Sequence, residues 1–484
     1  MIEPLSRRDA LRLGLLGAGA VVVGGLGLAG TERLGPFAPA AGPGTRRPSS
    51  GAEFVEPPVL RSKDGFLRAH LEPRLTDVDL GGPRARLLSY GGTVPAATWR
   101  VRPGDRIEVT LANGLHVPTN LHVHGLHVSP EGNGDNVFLR VEPGEEFRYA
   151  FALPHDHPPG LFWYHPHVHG TVADQVSAGL YGAIVVKDDL PVDGERVVVI
   201  SDVTLREDGT VATATPPERL AGREGALLLV NGRHRPVLRT SAGRAERWRL
   251  LNACTSRYLD VELPGQQLVL LGLDGGRLPP RQVENVPLPP GGRADILVTT
   301  SAGDTELRTA GHDRGGGMMM MGAADLSGPA HLADVAVSDS PSRASVDLPT
   351  PSVTDLRGAT PDARREIAFT MGMGMGGMAL GFDGLAFSGE RTDQRLSAGA
   401  VEEWTIRNPT PFDHPFHLHV WPMQVLDDDG RRPEAPEWRD VVNVPSRGAV
   451  TVRFLVDITG RTVYHCHILD HEDAGMMAVV EARP

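Results

Sequence analysis

The chain has 484 residues, enough for about three domains of ordinary size. Its 58 glycines and 41 prolines make up about a fifth of the residues, which excludes a helical bundle and favours short strands joined by turns. A formal net charge of -12 without a basic run argues against nucleic acid as a partner, and two cysteines allow at most one disulfide.

The first 31 residues have the pattern of an export signal. Arg7 and Arg8 precede an apolar run that carries no charge between Arg12 and Glu32. The adjacent arginines resemble a twin-arginine signal, so we expect export to the periplasm, the cell envelope or the medium. A transmembrane anchor is the alternative, but glycines weaken the run, and we expect no stable membrane span. Residues 32–58, rich in Pro, Gly and Ala, are predicted to be a linker.

Three later segments repeat one pattern, in which nine positions separate a glycine from an asparagine. The pairs are Gly104 and Asn113, Gly243 and Asn252, and Gly399 and Asn408. The residues within each pair have β-strand composition with partial alternation. The repeat predicts three copies of one all-β sandwich domain, with approximate boundaries at 59–190, 191–335 and 336–484.

A second repeat occurs only in the outer copies and consists of His-x-His segments. The four pairs are His122 and His124, His165 and His167, His417 and His419, and His465 and His467. Residues i and i+2 of a strand share a face, so eight imidazoles converge if the first and third copies meet. Imidazole suits zinc, copper, iron and nickel, and eight nitrogens are too many for one ion. The pattern therefore predicts a polynuclear site with three metals.

Cys466 lies between two of these histidines, and strand alternation directs its thiol to the opposite face. His414, His471 and Met476 are available as its partners. Two histidines, one cysteine and a weak axial methionine form the ligand set of a blue-copper electron-transfer site. Electrons accepted at Cys466 would then cross only backbone to reach the flanking histidines. Cys254 has no such neighbours and is interpreted as a core thiol.

The sequence resembles the three-domain multicopper oxidases, a laccase-like group that includes bacterial cuprous oxidases, over residues 60 to 484. The resemblance lies in the segments 122–125, 164–167, 414–419 and 465–476. It implies three consecutive cupredoxin-like Greek-key β-sandwich domains and four coppers per chain. The implied ligands are His414, Cys466, His471 and Met476 for type 1 copper, His122 and His417 for type 2 copper, and His124, His165, His167, His419, His465 and His467 for the type 3 pair. Val420 departs from the family, which usually has glycine there.

The resemblance also implies a reaction. A small reducing substrate, such as a phenol, an aromatic amine or Cu(I), would give electrons one at a time to type 1 copper, and O2 would be reduced to water at the other three. A copper-homeostasis protein, which mainly oxidises or sequesters Cu(I), is the alternative. A copper-free relative acting as an envelope interaction protein is disfavoured, because all twelve ligands are present.

Two carboxylates and two methionine clusters are the remaining candidates for a functional role. Glu472 matches a family proton donor, and Asp135 is a second candidate; for either, the alternative is a solvated loop carboxylate. Eight of the twelve methionines lie among glycines, at Met318–Met321 and at Met371, Met373, Met375 and Met378. Their soft thioethers suit Cu(I), and a flexible loop without ligands is the equal alternative.

Overall fold

The computed structural model describes residues 51–316, 326, 328–339, 346–374 and 377–484. Strands account for nearly all of its regular structure, so the expected all-β class is confirmed. The predicted export signal at 1–31, residues 32–50 of the predicted linker, Met318–Met321 and Met375 lie outside the described residues. Within the described part, no helix has the length and apolar character needed to span a bilayer.

The first third of the described chain forms one five-stranded sheet in the order β1-β5-β10-β9-β7, one three-stranded sheet in the order β2-β6-β8, and a β3-β4 pair. A short helix, α1, precedes the last strand. The elements are β1 (Val59–Arg61), β2 (Phe66–Leu71), β3 (Pro73–Asp79), β4 (Arg84–Tyr90), β5 (Thr98–Val101), β6 (Arg106–Ala112), β7 (His122–His124), β8 (Glu146–Ala152), β9 (Gly160–His165), α1 (Val172–Ser177) and β10 (Gly182–Val186).

The middle third forms a six-stranded sheet, β12-β11-β14-β19-β16-β17, and a five-stranded sheet, β13-β21-β20-β15-β18. The elements are β11 (Gly194–Val203), α2 (Pro216–Ala221), β12 (Leu227–Val230), β13 (Val237–Ser241), β14 (Ala245–Asn252), β15 (Leu259–Glu262), β16 (Gln267–Leu273), β17 (Gly276–Val283), β18 (Asn285–Leu288), β19 (Arg293–Thr299), β20 (Thr305–Thr309) and β21 (Ala330–Ser338).

The last third repeats this layout with a six-stranded sheet, β23-β22-β25-β30-β27-β28, and a five-stranded sheet, β24-β32-β31-β26-β29. The elements are β22 (Ala363–Gly374), β23 (Gly377–Phe382), β24 (Gln394–Ser397), β25 (Val401–Arg407), β26 (His414–Leu418), β27 (Met423–Asp428), β28 (Trp438–Arg439), β29 (Val441–Val444), β30 (Ala449–Leu455), β31 (Gly460–Cys466), α3 (Leu469–Asp473) and β32 (Met477–Arg483). Among the described residues, no sheet joins strands from two thirds; the exact domain boundaries remain a prediction.

The repeated sequence segments occupy equivalent places in the three parts. Strands β6, β14 and β25 each pair with one parallel neighbour, respectively β2, β11 and β22. Each also pairs with one antiparallel neighbour, respectively β8, β19 and β30. The glycine before each strand has a positive φ of 76° to 84°, which a residue with a Cβ rarely adopts. Backbone conformation therefore accounts for the glycine of the repeat.

Hydrogen bonding accounts for its asparagine, which is buried in all three copies. The Asn113 amide donates to the carbonyls of Val117 and Val141 at 2.9 and 2.8 Å. Asn252 and Asn408 make the same pair of bonds in their own parts. Each asparagine oxygen also accepts the backbone N–H two residues later. A buried amide that ties two loops together must be satisfied in this way, which explains its recurrence.

Each third has its own apolar core around a fully buried tryptophan, namely Trp99, Trp248 and Trp404. A further buried cluster contains strand residues of the first and middle thirds together with Leu469 of α3. Packing density in such cores makes these contacts rigid. Helix α3, which carries one candidate metal ligand, is therefore fixed by apolar contacts to strands outside its own third.

Polar contacts reinforce the position of α3. Asp470 forms a buried ion pair with Arg223, at 2.6 Å. The carboxylate of Asp473 accepts the backbone N–H groups of Gly170, Val172 and Ala173 at 2.7, 3.2 and 2.8 Å. It thereby caps the first turn of α1. The side chain of the N-cap residue, Thr171, makes no capping bond, so Asp473 takes this role.

We expect Asp473→Ala to lower the free energy of unfolding by about 1 to 2 kcal/mol, because three backbone N–H groups, two of them in the first turn of α1, lose their acceptor. Urea unfolding of the copper-free protein, followed by tryptophan fluorescence, measures the change. Asp193→Ala, which removes a different backbone-capping carboxylate, is the comparison. An unchanged unfolding midpoint for Asp473→Ala would show that water replaces the cap.

Candidate metal centre

The four His-x-His segments lie on two pairs of strands with equivalent register. In the first third, β7 pairs with β9 so that His122 is opposite His165. In the last third, β26 pairs with β31 so that His417 is opposite His465. The second histidine of each segment lies at the end of its strand or within two residues after it. Antiparallel pairing therefore assembles four imidazoles in each third before the two thirds meet.

The two sets of imidazoles face each other, as the sequence predicts. The rings of His124 and His417 stack at 3.8 Å, and those of His122 and His419 stack at 4.0 Å. The Nε2 atom of His465 lies 3.1 Å from the Nε2 atom of His167. Three groups have candidate ligand atoms within 4.8 Å of one another: His122, His124 and His417; His124, His165 and His467; and His167, His419 and His465.

Burial disfavours the protonated form of most of these imidazoles, which leaves lone pairs available for metal ions. Burial and neighbouring imidazoles lower the pKa of His122 and His417 well below the usual value. The same causes lower the pKa of His165 to about 3. In the described structure, the Nε2 atoms of His122, His165 and His417 and the Nδ1 atoms of His124 and His419 are buried without a hydrogen-bond partner. Buried polar atoms are costly when unsatisfied, and cations at these places would satisfy them.

Cys466 has the predicted histidine neighbours on the other face of β31. Its sulfur lies 3.4 Å from His414 Nδ1 and 3.9 Å from His471 Nδ1. Met476 is fully buried beside them, and its backbone joins both Cys466 and His471 through hydrogen bonds of 3.0 and 2.8 Å. Burial raises the pKa of the Cys466 thiol, so a thiolate here requires a cation as partner. The donor set therefore fits copper.

Comparison with known proteins supports the same chemistry. Three family models, each described as multicopper oxidase, match residues 75–190, 194–306 and 345–484. Multicopper oxidase MmcO of Mycobacterium tuberculosis is 27% identical over 97% of this chain and 96% of its own. A solved multicopper oxidase from Campylobacter jejuni, titled a metallo-oxidase, is 29% identical with a TM-score of 0.81, covering 90% of this chain and 96% of its own.

The chain belongs to the multicopper oxidase family. Its three parts are cupredoxin-like β-sandwiches, as expected. As a multicopper oxidase it binds copper and couples the oxidation of reducing substrates to the reduction of O2 to water. The relatives also include cell division protein FtsP of Xenorhabdus nematophila, 26% identical over 88% of this chain and 92% of its own. Membership therefore does not by itself identify the substrate.

Both carboxylates singled out from the sequence of this multicopper oxidase are buried beside imidazoles. Asp135 contacts His122 Nδ1 through both oxygens, at 3.0 and 2.9 Å, and accepts the Val123 N–H at 2.9 Å. Burial raises the pKa of Asp135 to about 8, although the Val123 N–H opposes this. Neither residue is therefore a solvated loop carboxylate.

Glu472 lies on the other side of the cluster. Its carboxylate is fully buried, 3.1 Å from His465 Nδ1 and 3.6 Å from His167 Nδ1. Burial raises the pKa of Glu472, but the adjacent imidazoles outweigh this and lower it to about 2. The pKa values of the two carboxylates are therefore shifted in opposite directions.

Val420 adopts the conformation for which the family's glycine is suited. Its φ is +72°, in the left-handed region that β-branched residues rarely enter, and such strain costs about 1 to 3 kcal/mol. The Val420 carbonyl accepts a hydrogen bond of 2.8 Å from His127 Nδ1. His127 Nε2 lies 3.0 Å from Asp457. The turn after His419 therefore keeps its left-handed conformation although valine replaces the usual glycine. The hydrogen bond from His127, a residue of the first third, helps to hold it.

Sequence reasoning missed the groups that bind the outer nitrogens of the ligand imidazoles. His414 Nε2 lies 2.8 Å from the Thr410 hydroxyl, and His471 Nε2 donates to the Leu220 carbonyl at 2.9 Å. Asp440 lies 3.0 Å from His124 Nε2. Two of these three groups are side chains without any motif, and one is a backbone carbonyl, so no sequence signal marks them.

Proposed function

We propose that this multicopper oxidase holds four coppers with the residues implied by its motifs. One copper takes His414, Cys466, His471 and Met476. The trinuclear group takes His122 and His417 for type 2 copper, and His124, His165, His167, His419, His465 and His467 for the type 3 pair. The convergence of eight buried imidazoles, several with an unpartnered nitrogen, carries this proposal. When bound, copper would supply one-electron transfer at the first centre and binding and reduction of O2 at the second.

The chain itself fixes which nitrogen of each ring is left for metal. A ring that donates Nδ1–H keeps the lone pair of Nε2, and the reverse holds when Nε2–H donates. His417 Nδ1 donates to the Asp440 carbonyl at 2.7 Å, which leaves Nε2. His414 and His471 use Nε2 for hydrogen bonds, which leaves Nδ1 toward the sulfur of Cys466. Such outer contacts hold ligand geometry before metal arrives.

Strand alternation connects the two centres. Cys466 faces the core of the last third, whereas His465 and His467 face the imidazoles of the first third. Only backbone separates the thiol from both histidines. We propose that electrons move along this segment, so that the site of donor oxidation and the site of O2 reduction stay separate.

Electron donors reach the first centre through covering residues. His414 and His471 are both fully buried, and helix α2 contributes the Leu220 carbonyl that binds the outer edge of His471. A donor at the surface therefore exchanges electrons through α2 rather than by contact with the imidazole. This arrangement supports a broad, laccase-like range of small reductants, such as phenols, aromatic amines or Cu(I). The reason is that a donor does not have to bind directly against the imidazole of His471.

We propose that Asp135 and Glu472 relay the protons that water formation consumes. Each is buried within hydrogen-bond distance of an imidazole of the trinuclear group: Asp135 lies 2.9 Å from His122 Nδ1, and Glu472 lies 3.1 Å from His465 Nδ1. The raised pKa of Asp135 allows it to carry a proton near neutral pH. Asp135 also accepts a hydrogen bond from Nδ1–H of His122, which leaves the Nε2 lone pair of that ring for a metal.

We further propose that residues 1–31 export the chain by a twin-arginine-like route and that residues 32–58 are a linker. The adjacent Arg7 and Arg8 before the apolar run support this. The three-domain division at 59–190, 191–335 and 336–484 is supported by sheets that stay within each part. Within such an exported protein, a role in copper homeostasis remains the second candidate function.

Cys466→Ser tests the copper assignment. We expect the unaltered protein to bind four coppers, and the variant to bind three, because a hydroxyl cannot replace the thiolate at a blue-copper site. The blue colour and O2 consumption should disappear while the far-ultraviolet circular dichroism stays the same. Metal analysis after copper reconstitution gives the count.

Met476→Leu is the matched control for that experiment. It should keep four coppers and the blue colour and raise the reduction potential, because a weak axial donor is lost. Far fewer than four coppers in the unaltered protein, or O2 consumption by Cys466→Ser at the normal rate, would contradict the assignment.

Asp135→Asn and Glu472→Gln test the proton relay. Each should lower turnover by about 100-fold or more, because general acid catalysis typically contributes factors of that size. Stopped-flow measurement should show normal donor oxidation but slow reoxidation of the reduced enzyme by O2, with copper content unchanged. Equal slowing of both half-reactions would instead indicate damaged electron transfer, and normal reoxidation would exclude the relay.

Replacement of the methionines at 371–378 tests whether Cu(I) is a substrate that this cluster collects. Replacing Met371, Met373, Met375 and Met378 together by leucine keeps apolar volume but removes the thioethers. If the cluster collects Cu(I), we expect the KM for Cu(I) to rise about tenfold or more while phenol oxidation stays constant, as measured by O2 uptake. Equal effects on both donors would favour the loop interpretation.

A further inference from the structure

The middle third supplies no histidine to the cluster, yet one of its side chains reaches it. Arg293, the first residue of β19, is fully buried. Its guanidinium binds both carboxylate oxygens of Asp440, a residue of the last third. Arg293 Nε also donates to the Leu161 carbonyl of the first third at 3.1 Å. This one side chain therefore contacts all three parts of the molecule.

Asp440 in turn binds two imidazoles whose rings are stacked on each other. Its carboxylate oxygen Oδ1 lies 3.0 Å from His124 Nε2. Its backbone carbonyl accepts from His417 Nδ1 at 2.7 Å. The two rings thus present opposite nitrogens to the cluster, Nδ1 from His124 and Nε2 from His417, and both atoms lack a partner in the described structure.

The charge of Arg293 indicates which atom donates the hydrogen bond between His124 and Asp440. A guanidinium is always protonated, and its hydrogen bonds to both oxygens of Asp440 favour the carboxylate over the protonated acid. An anion only accepts hydrogen bonds, so His124 must carry its proton on Nε2. The remaining lone pair is then on Nδ1, toward the cluster. Without Arg293, Asp440 would be buried close to Asp274, whose carboxylate accepts the Asp440 N–H at 3.2 Å, and the anion would be costly.

Glycines in the neighbouring segments leave the space that this pair requires. A Cβ on Gly125, which directly follows His124, would clash with the carboxylate of Asp440 and with the Arg293 guanidinium. A Cβ on Gly291 would lie 2.7 Å from the ring of His467. The His-Val-His-Gly motif therefore ends in glycine at the place where a side chain would displace the ion pair.

We propose that Arg293 and Asp440 are positioning residues, through which the middle third fixes the Nε2–H tautomer and the orientation of His124 for the trinuclear group. The proposal rests on the ligand assignment made above for His124 and His417. Neither Arg293 nor Asp440 needs to touch copper or O2. The expected consequence of losing the pair is weaker copper binding at the trinuclear group alone, with the Cys466 centre intact.

Asp440→Asn is the principal test, because asparagine keeps the shape and removes the charge that Arg293 holds. Asp295→Asn is the matched control: Asp295 lies on β19, as Arg293 does, forms a buried ion pair with Arg247 of β14, and has no described contact with a histidine. Nitrogen-15 NMR of the histidines in the copper-free proteins reports the tautomer of His124. Competition with a chelator reports copper affinity, and the blue colour reports the Cys466 centre separately.

In Asp440→Asn we expect His124 to populate both tautomers and copper affinity at the trinuclear group to fall about 10- to 100-fold, as for other outer partners of metal ligands. Asp295→Asn should lower only the unfolding midpoint. Arg293→Lys keeps the charge but loses the fork, so it should give a smaller fall in affinity; it carries the test if Asp440→Asn does not fold.

Two failures can be told apart. If the unaltered protein binds far fewer than four coppers, the ligand assignment is wrong. If it binds four, and Asp440→Asn and Arg293→Lys both keep the His124 tautomer and the copper affinity, only the positioning role is overturned. An equal loss of affinity in Asp295→Asn would also overturn it, because general destabilisation would then explain the effect.

Discussion

The structure depends on a constraint that applies to every buried imidazole, which must satisfy two nitrogens at once. For His414, His417 and His471, one ring nitrogen is hydrogen-bonded to a protein group and the other faces neighbouring ligand candidates. The protein groups are a hydroxyl and two backbone carbonyls from separate segments of the chain. A buried nitrogen without a partner is unfavourable. The arrangement is therefore one in which cations complete the hydrogen-bonding requirements of the core.

Strand geometry converts this constraint into two connected centres. Because side chains alternate along β31, Cys466 packs into the core of the last third while its neighbours His465 and His467 point toward the first third. Under the proposed ligand assignment, donor oxidation and O2 reduction would take place on opposite faces of this strand. The two sets of imidazoles meet because β7 pairs with β9, and β26 pairs with β31, in equivalent register. The first histidine of each segment therefore lies opposite the first histidine of its partner segment.

The middle third shows how a part without ligands contributes to the site. Leu220 covers the outer edge of His471, Gly291 packs against His467, and Arg293 binds Asp440. These are contacts of a carbonyl, a missing side chain and an ion pair, so they leave no metal-binding motif. The middle third, which contains no His-x-His segment, therefore still contributes to the site: it covers the Cys466 centre and supports the histidine cluster.

The sequence alone determined the all-β class, the threefold repeat and the grouping of histidines, because strand alternation and short His-x-His spacings are local properties. It also indicated Asp135 and Glu472, although only the tertiary structure placed them against His122 and His465. The partners of the outer nitrogens, above all Asp440, were decided by the tertiary structure, and so was the ion pair between Asp440 and Arg293. These two residues are 147 positions apart with no shared pattern, and their contact arises only when the middle and last thirds pack together.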